Sequence, residues 1–398
     1  MPLVMPVYGT RPEAIKMAPV VRAARGHPRL DVHVTVTGQH REMLDQVNEL
    51  FGIVPDDDLD VITPRQSLAA VTTRTLERLT AVLERVRPDA VVVQGDTTTS
   101  TAAALAAFYQ RIPVVHVEAG LRTDDVYSPF PEEMNRRLTT RLAALHLAPT
   151  PASRENLLRE AVPAGDITVT GNTVIDALLE TVGRRVPFTD PALKALDSPD
   201  GGRGRPLVLV TTHRRESWGE PMAAVARALA RLAVAHPEAV FVLPAHRNPV
   251  VREVVLPPLA GLGNVVVTEP LPYGEFAHLI SRARVVLSDS GGVQEEAPSL
   301  GVPVLVLRDN TERPEAVDAG TVRLIGTAED VVVAEVDRLL TDDAAHAAMA
   351  EAVNPYGDGR AAARCVAAIG ELLGVDQRLP EFNPRTRGNS HQAESIRT

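Results

Sequence analysis

Short runs of apolar, mostly β-branched residues alternate along the chain with longer stretches whose apolar positions recur at helical spacing. Val32–Thr37, Ala90–Gln94, Val114–Val117 and Ala144–Ala148 read as buried strands of a first half. Leu207–Thr211, Val240–Leu243, Val265–Thr268, Val285–Ser288 and Val302–Leu307 read as those of a second. Such runs lack an alternating polar face, as strands covered on both sides require. Strands that alternate with helices predict a parallel α/β architecture. Pro6 falls inside a further predicted strand at the start of the chain, where its missing N–H removes a ladder bond. A bulge or a late start is expected there. Val186–Pro206, rich in Pro, Asp, Gly and Arg, reads as the linker or domain entry, with Gly171 as the other candidate boundary.

Length supports the division, since 398 residues exceed one ordinary core. No apolar run is long enough to cross a membrane, and the first residues enter a strand pattern without a basic leader, so a cytoplasmic protein is expected. The single cysteine, Cys365, lies among alanines and excludes an internal disulfide or a thiolate cluster; packing is its expected role. A net charge of -10 argues against a sequence-independent nucleic-acid binder. Beyond Gly374 the chain turns polar and irregular, and 375–398 is expected to be a disordered tail without chemistry.

In open α/β sheets ligands bind beyond the carboxyl ends of the strands, so the informative residues follow each apolar run. Ser290-Gly291-Gly292 opens a helix predicted over Val293–Leu300, where backbone N–H groups and the helix dipole suit a phosphate. A plain glycine turn explains it equally well. Arg11 and Arg313 stand at other strand ends and suit bidentate phosphate contact, although most arginines are solvated surface charges. Asp96, Glu118 and Glu132 also follow strands or begin helices. Asp96 has the plain reading of a cap for a helix starting at Thr97, and Glu132 that of a first-turn acid behind Pro131 at position N1. Glu118 directly follows Val114–Val117 and needs a cationic partner if buried, for which Arg122 is the candidate. No G-x-G-x-x-G follows a strand, no Walker lysine motif is present, and His213, His246 and the other histidines lack zinc spacing. Neither a cofactor nor a metal is expected.

Gly9-Thr10-Arg11-Pro12-Glu13-Ala14-Ile15-Lys16, Gly95-Asp96-Thr97, Val117-Glu118-Ala119-Gly120-Leu121-Arg122-Thr123 and Pro131-Glu132-Glu133 stand in this order along the first half. Together these segments resemble the bacterial non-hydrolysing UDP-N-acetylglucosamine 2-epimerases. Thr170-Gly171-Asn172-Thr173, His213-Arg214-Arg215-Glu216, Asp289–Glu296 and Thr311-Glu312-Arg313-Pro314-Glu315 extend the likeness, in order, from about Val7 to about Leu373. The resemblance implies a glycosyltransferase-B-like fold of two Rossmann-like domains facing across a cleft, over 1–171 and 172–359. It also implies a helix over 360–374 that returns to the first domain. The implied reaction interconverts UDP-GlcNAc and UDP-ManNAc by elimination of UDP to 2-acetamidoglucal and re-addition. Asp96, Glu118, Glu132 and His213 take the catalytic positions, with His213 reaching the diphosphate.

Arg11 and Lys16 fall in the implied nucleotide and phosphate site, and Ser290, Gly291, Gly292, Glu296 and Arg313 hold uridine, ribose and diphosphate. Arg122, Arg136, Tyr273 and Phe276 complete the implied substrate set. Gln39, His40, Arg65, Arg214 and His246 match an activator site for a second UDP-GlcNAc, and a homodimer is usual in the family. Expected partners are therefore UDP-GlcNAc, UDP-ManNAc and UDP, with neither nucleic acid nor membrane. A UDP-sugar glycosyltransferase on the same fold, a hydrolysing epimerase releasing ManNAc, and a silent UDP-sugar sensor are the competing readings. A relative acting on a modified hexosamine would keep the same nucleotide motifs.

Overall fold

The structure is a computed structural model that describes residues 1–38, 41–61, 66–123, 125–198, 204–214, 217–311 and 313–384. The chain divides into two compact units, one comprising Met1–Ala177 and the segment that begins at Tyr356, the other Leu178–Pro355.

In the first unit β1 (Leu3–Tyr8) leads into α1 (Arg11–Arg25), then β2 (Asp31–Val32), β3 (Thr35–Val36), α2 (Arg41–Phe51), β4 (Asp57–Asp58) and α3 (Leu68–Val86). There follow β5 (Ala90–Gln94), α4 (Thr98–Tyr109), β6 (Val114–Val117), α5 (Glu132–Leu142), β7 (Leu145–Ala148), α6 (Pro151–Arg159) and β8 (Ile167–Val169). All pairings are parallel, in the order β4-β3-β1-β5-β6-β7-β8, with β2 also on β1. Strand order therefore reverses between β1 and β5, which makes the loops after these two strands the walls of a crevice.

Pro6 is accommodated without a bulge. The carbonyls of Pro2, Val4 and Tyr8 accept N–H groups from the β2/β3 side, so the missing N–H of Pro6 points there. The expected single strand over Val32–Thr37 is broken at His33–Val34, opposite that gap, and Val34 turns instead to Asp56. One proline thus divides its neighbour into two short strands. α4 packs through Ala102, Ala103, Ala104, Ala106 and Ala107, all but inaccessible, which lets α3 and α5 approach it closely.

α7 (Thr173–Gly183) crosses the boundary between Ala177 and Leu178. The division is not at Val186–Pro206: that segment carries α8 (Pro191–Asp197) and docks within the second unit, with Thr189 hydrogen-bonded to Glu275 and the Val186 carbonyl to His278. The second unit continues with β9 (Leu207–Thr211), α9 (Glu220–Ala235), β10 (Val240–Pro244), α10 (Pro249–Val255), β11 (Val265–Thr268) and α11 (Tyr273–Arg282). Then come β12 (Val285–Ser288), α12 (Gly291–Glu296), β13 (Val304–Val306), α13 (Pro314–Asp318), β14 (Val322–Leu324), α14 (Glu329–Thr341) and α15 (Asp343–Ala350). Its sheet is parallel, in the order β11-β10-β9-β12-β13-β14, with the reversal between β9 and β12. Leu229 and Leu232 of α9 fill the core over Phe241, Leu243 and Leu287. β8 and β14 were not foreseen, because each is three residues long with a polar residue at its centre (Thr168, Arg323).

α16 (Ala361–Leu372) belongs to the first unit and packs on α1. Cys365 is buried there, its thiol pushed up to about 12 by desolvation, so it is an inert packing residue. The expected disorder does not begin after Gly374. Phe382 is buried, its N–H bonds the Val169 carbonyl at 2.8 Å, and Glu381 pairs with Arg154 at 2.7 Å. An aromatic anchor at Phe382 orders the segment up to 384; the rest of the tail lies outside the described residues. Among the described residues no helix is long and apolar enough to cross a membrane, and no group of acidic, His and Cys side chains is arranged to hold a metal.

Candidate active site

The switch point of the first unit gathers most of the acidic candidates. Thr10 caps α1 in a reciprocal box: its hydroxyl accepts from the Glu13 N–H, and Glu13 Oε2 accepts from the N–H groups of Gly9 and Thr10 at 2.9 and 2.7 Å. Glu13 Oε1 accepts the Thr97 hydroxyl, and Thr97 is itself the cap of α4. One fully buried carboxylate therefore ties the loop after β1 to the loop after β5. Burial raises its pKa, partly offset by the Thr97 hydroxyl and the two N–H donors.

Since Thr97 is the cap, Asp96 is released from that plain role. Its carboxylate is paired with Arg136 of α5, and its carbonyl accepts from Asn135 at 2.9 Å. Desolvation raises the Asp96 pKa; Arg136 opposes that rise, nearby Glu118 adds to it and Lys16 offsets it. Arg136 is in turn braced by Glu133, 3.3 Å away and fully buried, which also holds Arg137 at 2.7 Å and the Thr123 N–H at 3.1 Å. His116 of β6 donates from Nε2 to the Gly95 carbonyl at 2.7 Å, steadying the same loop. Burial lowers its pKa to about 3, so it is a neutral clamp.

Glu118 is buried and adopts φ of 63°, a left-handed conformation that costs a non-glycine residue about 1–3 kcal/mol. Its Oε1 accepts from the Lys16 ammonium and from Asn172 Nδ2 at 3.0 Å, and its Oε2 from Gln94. Lys16, not Arg122, is the cationic partner. Arg122 turns away and grips Glu160 through two hydrogen bonds of 2.6 and 2.9 Å, with Thr140 at 2.9 Å. The reason is geometric: the left-handed turn at Glu118 sends its side chain towards α1, while Arg122 follows the chain towards α5 and α6. Glu132 is the first residue of α5, Pro131 being its cap rather than position N1. Among the described residues its carboxylate makes no hydrogen bond or ion pair, and it is partly exposed. Arg11 opens α1, also partly exposed.

The switch point of the second unit is built differently. Asp289, inaccessible at the end of β12, accepts from the N–H groups of His213 and Arg214 at 2.8 and 2.9 Å, with His213 Nδ1 3.0 Å from its other oxygen. Burial alone would raise the Asp289 pKa, but the His213 contact and the backbone donors outweigh it and hold the carboxyl below its usual range. The His213 ring is half-exposed and stacked with that of His246, centroids 6.0 Å apart. Partial burial and the neighbouring His213 lower the His246 pKa. Ser290 caps α12 without a side-chain bond, its N–H donating to Ser288 Oγ at 2.9 Å. A Cβ on Gly291 would lie 2.5 Å from Arg313 Nη1, so glycine is what lets that guanidinium lie over the loop. Arg313 is held there by Glu295 at 2.7 Å. Gly292 faces open space, and Glu296 accepts the Tyr273 hydroxyl at 3.1 Å. Phe276 follows on α11, partly exposed.

Each unit thus brings its own candidates together, while Gln39, His40 and Arg65 lie outside the described residues. Glu13, Gln94, Glu133, Asn172 and Asp289 had not been assigned roles. A signal existed for two: T-x-x-E at Thr10–Glu13 is a capping box, and Glu133 precedes Arg136 and Arg137 at helical spacing.

A family model described as UDP-N-acetylglucosamine 2-epimerase matches residues 22–370. A UDP-N-acetylglucosamine 2-epimerase of Escherichia coli K12 is 52% identical over 379 residues, covering 92% of this chain and 98% of its own. The crystal structure of UDP-GlcNAc 2-epimerase from Neisseria meningitidis, bound to UDP-GlcNAc, is 48% identical with a TM-score of 0.83, over 94% of this chain and 100% of that one. The enzyme of Methanocaldococcus jannaschii, in complex with UDP-GlcNAc and UDP, is 31% identical with a TM-score of 0.74, over 94% and 99%. Two parallel-sheet α/β domains of the glycosyltransferase-B-like type are common to these structures and this chain.

Proposed function

The chain belongs to the UDP-N-acetylglucosamine 2-epimerase family, and from that premise we propose that it interconverts UDP-GlcNAc and UDP-ManNAc without releasing free sugar. The observation that carries the reading is the cluster at the first switch point, where Glu118 is buried against Lys16 and Asp96, partly buried, is paired with Arg136. A partly buried carboxylate beside a second, buried one suits proton transfer and the stabilisation of positive charge at a sugar better than it suits binding alone.

The proton on carbon 2 has no adjacent carbonyl to acidify it. Loss of UDP solves this: the bond from carbon 1 to the diphosphate oxygen breaks, the carbon 2 proton leaves, and a 2-acetamidoglucal remains. Re-addition of UDP with a proton delivered to the opposite face gives the epimer. Two acid/base groups are needed, and we assign Asp96 and Glu132. Desolvation raises the Asp96 pKa above its ordinary value, the direction that favours a group which must both take up and release a proton. Glu132 begins the helix whose Asn135 and Arg136 hold Asp96, so the two share one framework. Glu118, paired with Lys16, is assigned to stabilising the oxocarbenium-like sugar. Negative charge gathers on the departing diphosphate, and we assign its stabilisation to Arg11, Lys16, His213, Arg313 and the backbone at Ser290–Gly292. One oriented donor at such a place is worth about 3–4 kcal/mol. Glu296 and Tyr273 are assigned to the ribose.

Proton NMR of the protein with UDP-GlcNAc alone in deuterated water tests the proposal. UDP-ManNAc carrying deuterium at carbon 2, with no early free sugar, is expected. Free ManNAc with UDP would mean hydrolysis, and an unchanged spectrum with binding intact would refute epimerisation of this substrate.

A further inference from the structure

Asn172 occupies an unusual place in the chain. It lies in the segment 170–176, by which the chain leaves the first unit, and that segment is laced to 356–364, by which it returns. The Asn172 N–H donates to the Tyr356 carbonyl at 2.6 Å. Asp176 accepts the N–H groups of Ala361 and Ala362 at 3.1 and 2.9 Å, and Arg364 bonds the Thr170 carbonyl at 3.1 Å. Gly171, at φ of 84°, leaves room for Gly357: a Cβ there would be 3.4 Å from the Gly357 Cα.

The side chain of Asn172 faces the other way. It is buried; its Oδ1 accepts the Val174 N–H at 3.1 Å, which fixes the amide so that Nδ2 donates to Glu118 Oε1. Glu118 itself has a strained backbone and two oxygens that share donors from three different elements: Lys16 on α1, Gln94 on β5 and Asn172. Asn172 is a neutral donor on the oxygen that Lys16 also grips.

We propose that Asn172 is a positioning residue that fixes the Glu118 carboxylate and braces it against the two chain crossings of the first unit. This rests on the epimerase reading of Glu118. Asn172→Asp separates a positioning role from a merely structural one. It keeps the oxygen that accepts the Val174 N–H, but replaces the donor to Glu118 with a second carboxylate. Kcat is expected to fall about 100-fold with KM close to wild type, the usual consequence of displacing a reacting group by about an ångström. The acid limb of the pH–rate profile is expected to move up by about one unit or more, because like charges raise a carboxyl pair's apparent pKa. Asn172→Ser, which can still accept at the turn but is too short to reach Glu118, is expected to lower kcat without that shift. Should Asn172→Asp fail to fold, wild-type kcat in Asn172→Ser overturns the proposal. A folded Asn172→Asp with wild-type kcat and an unmoved profile overturns it as well.

The brace is read by adding Asp176→Ala to each background. A loss in the wild type that is absent in Asn172→Asp supports it, and equal losses in both overturn it. Wild-type protein that forms no UDP-ManNAc would sink the functional reading instead, so the two failures are distinguishable.

Discussion

The two units reverse their strand order at the same topological place, after β1 and β5 in one and after β9 and β12 in the other, yet they build opposite kinds of site there. In the first, carboxylates are held by cations and amides, two of them buried: Glu118 by Lys16, Gln94 and Asn172, Glu13 by two loops, and the partly buried Asp96 by Arg136. In the second, carboxylates stand behind and the donors stand forward: Asp289 orients His213 and the backbone of Arg214, and Glu295 orients Arg313 over a glycine loop. The fold supplies a crevice and a set of loop ends; whether it handles protons or clamps an anion depends on which charge sign is buried and which is presented.

That contrast breaks most sharply at Asp96. Asp96→Asn keeps a hydrogen-bonding group beside Arg136 but cannot take a proton, so turnover should drop about 10²–10⁴-fold with UDP binding intact. Initial rates and carbon 2 deuterium exchange measure it, and exchange at the wild-type rate would remove Asp96 from the acid/base pair. In the second unit the expected damage is to affinity. Gly291→Ala pushes its methyl into the Arg313 guanidinium and should weaken UDP binding about 10- to 100-fold, the worth of a charge-assisted hydrogen bond of roughly 1.5–3 kcal/mol. Calorimetry checks this, and an unchanged Kd would mean that Arg313 does not meet the nucleotide.

A further effect concerns stability, not turnover or affinity, and belongs to the first unit. His146 of β7 is buried and its pKa lowered to about 4 by desolvation, from an ordinary 6.5. Folded, it binds fewer protons than unfolded once pH falls below about 6.5, so stability is full above that value and is lost as pH drops towards 4. At pH 5 the loss is about 2 kcal/mol. His146→Leu should recover it, narrowing the difference between denaturant unfolding at pH 7 and at pH 5; curves that stay parallel to wild type would refute the assignment.

Much of this was legible in the sequence because it is local. Apolar runs located most of the strands, and the residues just after them supplied the candidates, since a parallel sheet delivers those positions to one edge whatever the chemistry. The capping box at Thr10–Glu13 and the burial of Cys365 are likewise local consequences of spacing and composition. What the tertiary structure decided were the pairings. Arg122 is four residues from Glu118, but the left-handed backbone at Glu118 gives that carboxylate to Lys16, 102 positions away, and leaves Arg122 to Glu160. Pro6 could be seen to cost a hydrogen bond, but not that the neighbouring strand would break opposite it. Phe382 looks in the sequence like part of a polar tail, but its N–H bonds the end of β8 and its ring is buried beside Gly171 and Arg364. Sequence determines which groups stand at the loop ends. Which of them meet depends on backbone turns and strand order, whose effects reach across a hundred or more residues and leave no periodic trace.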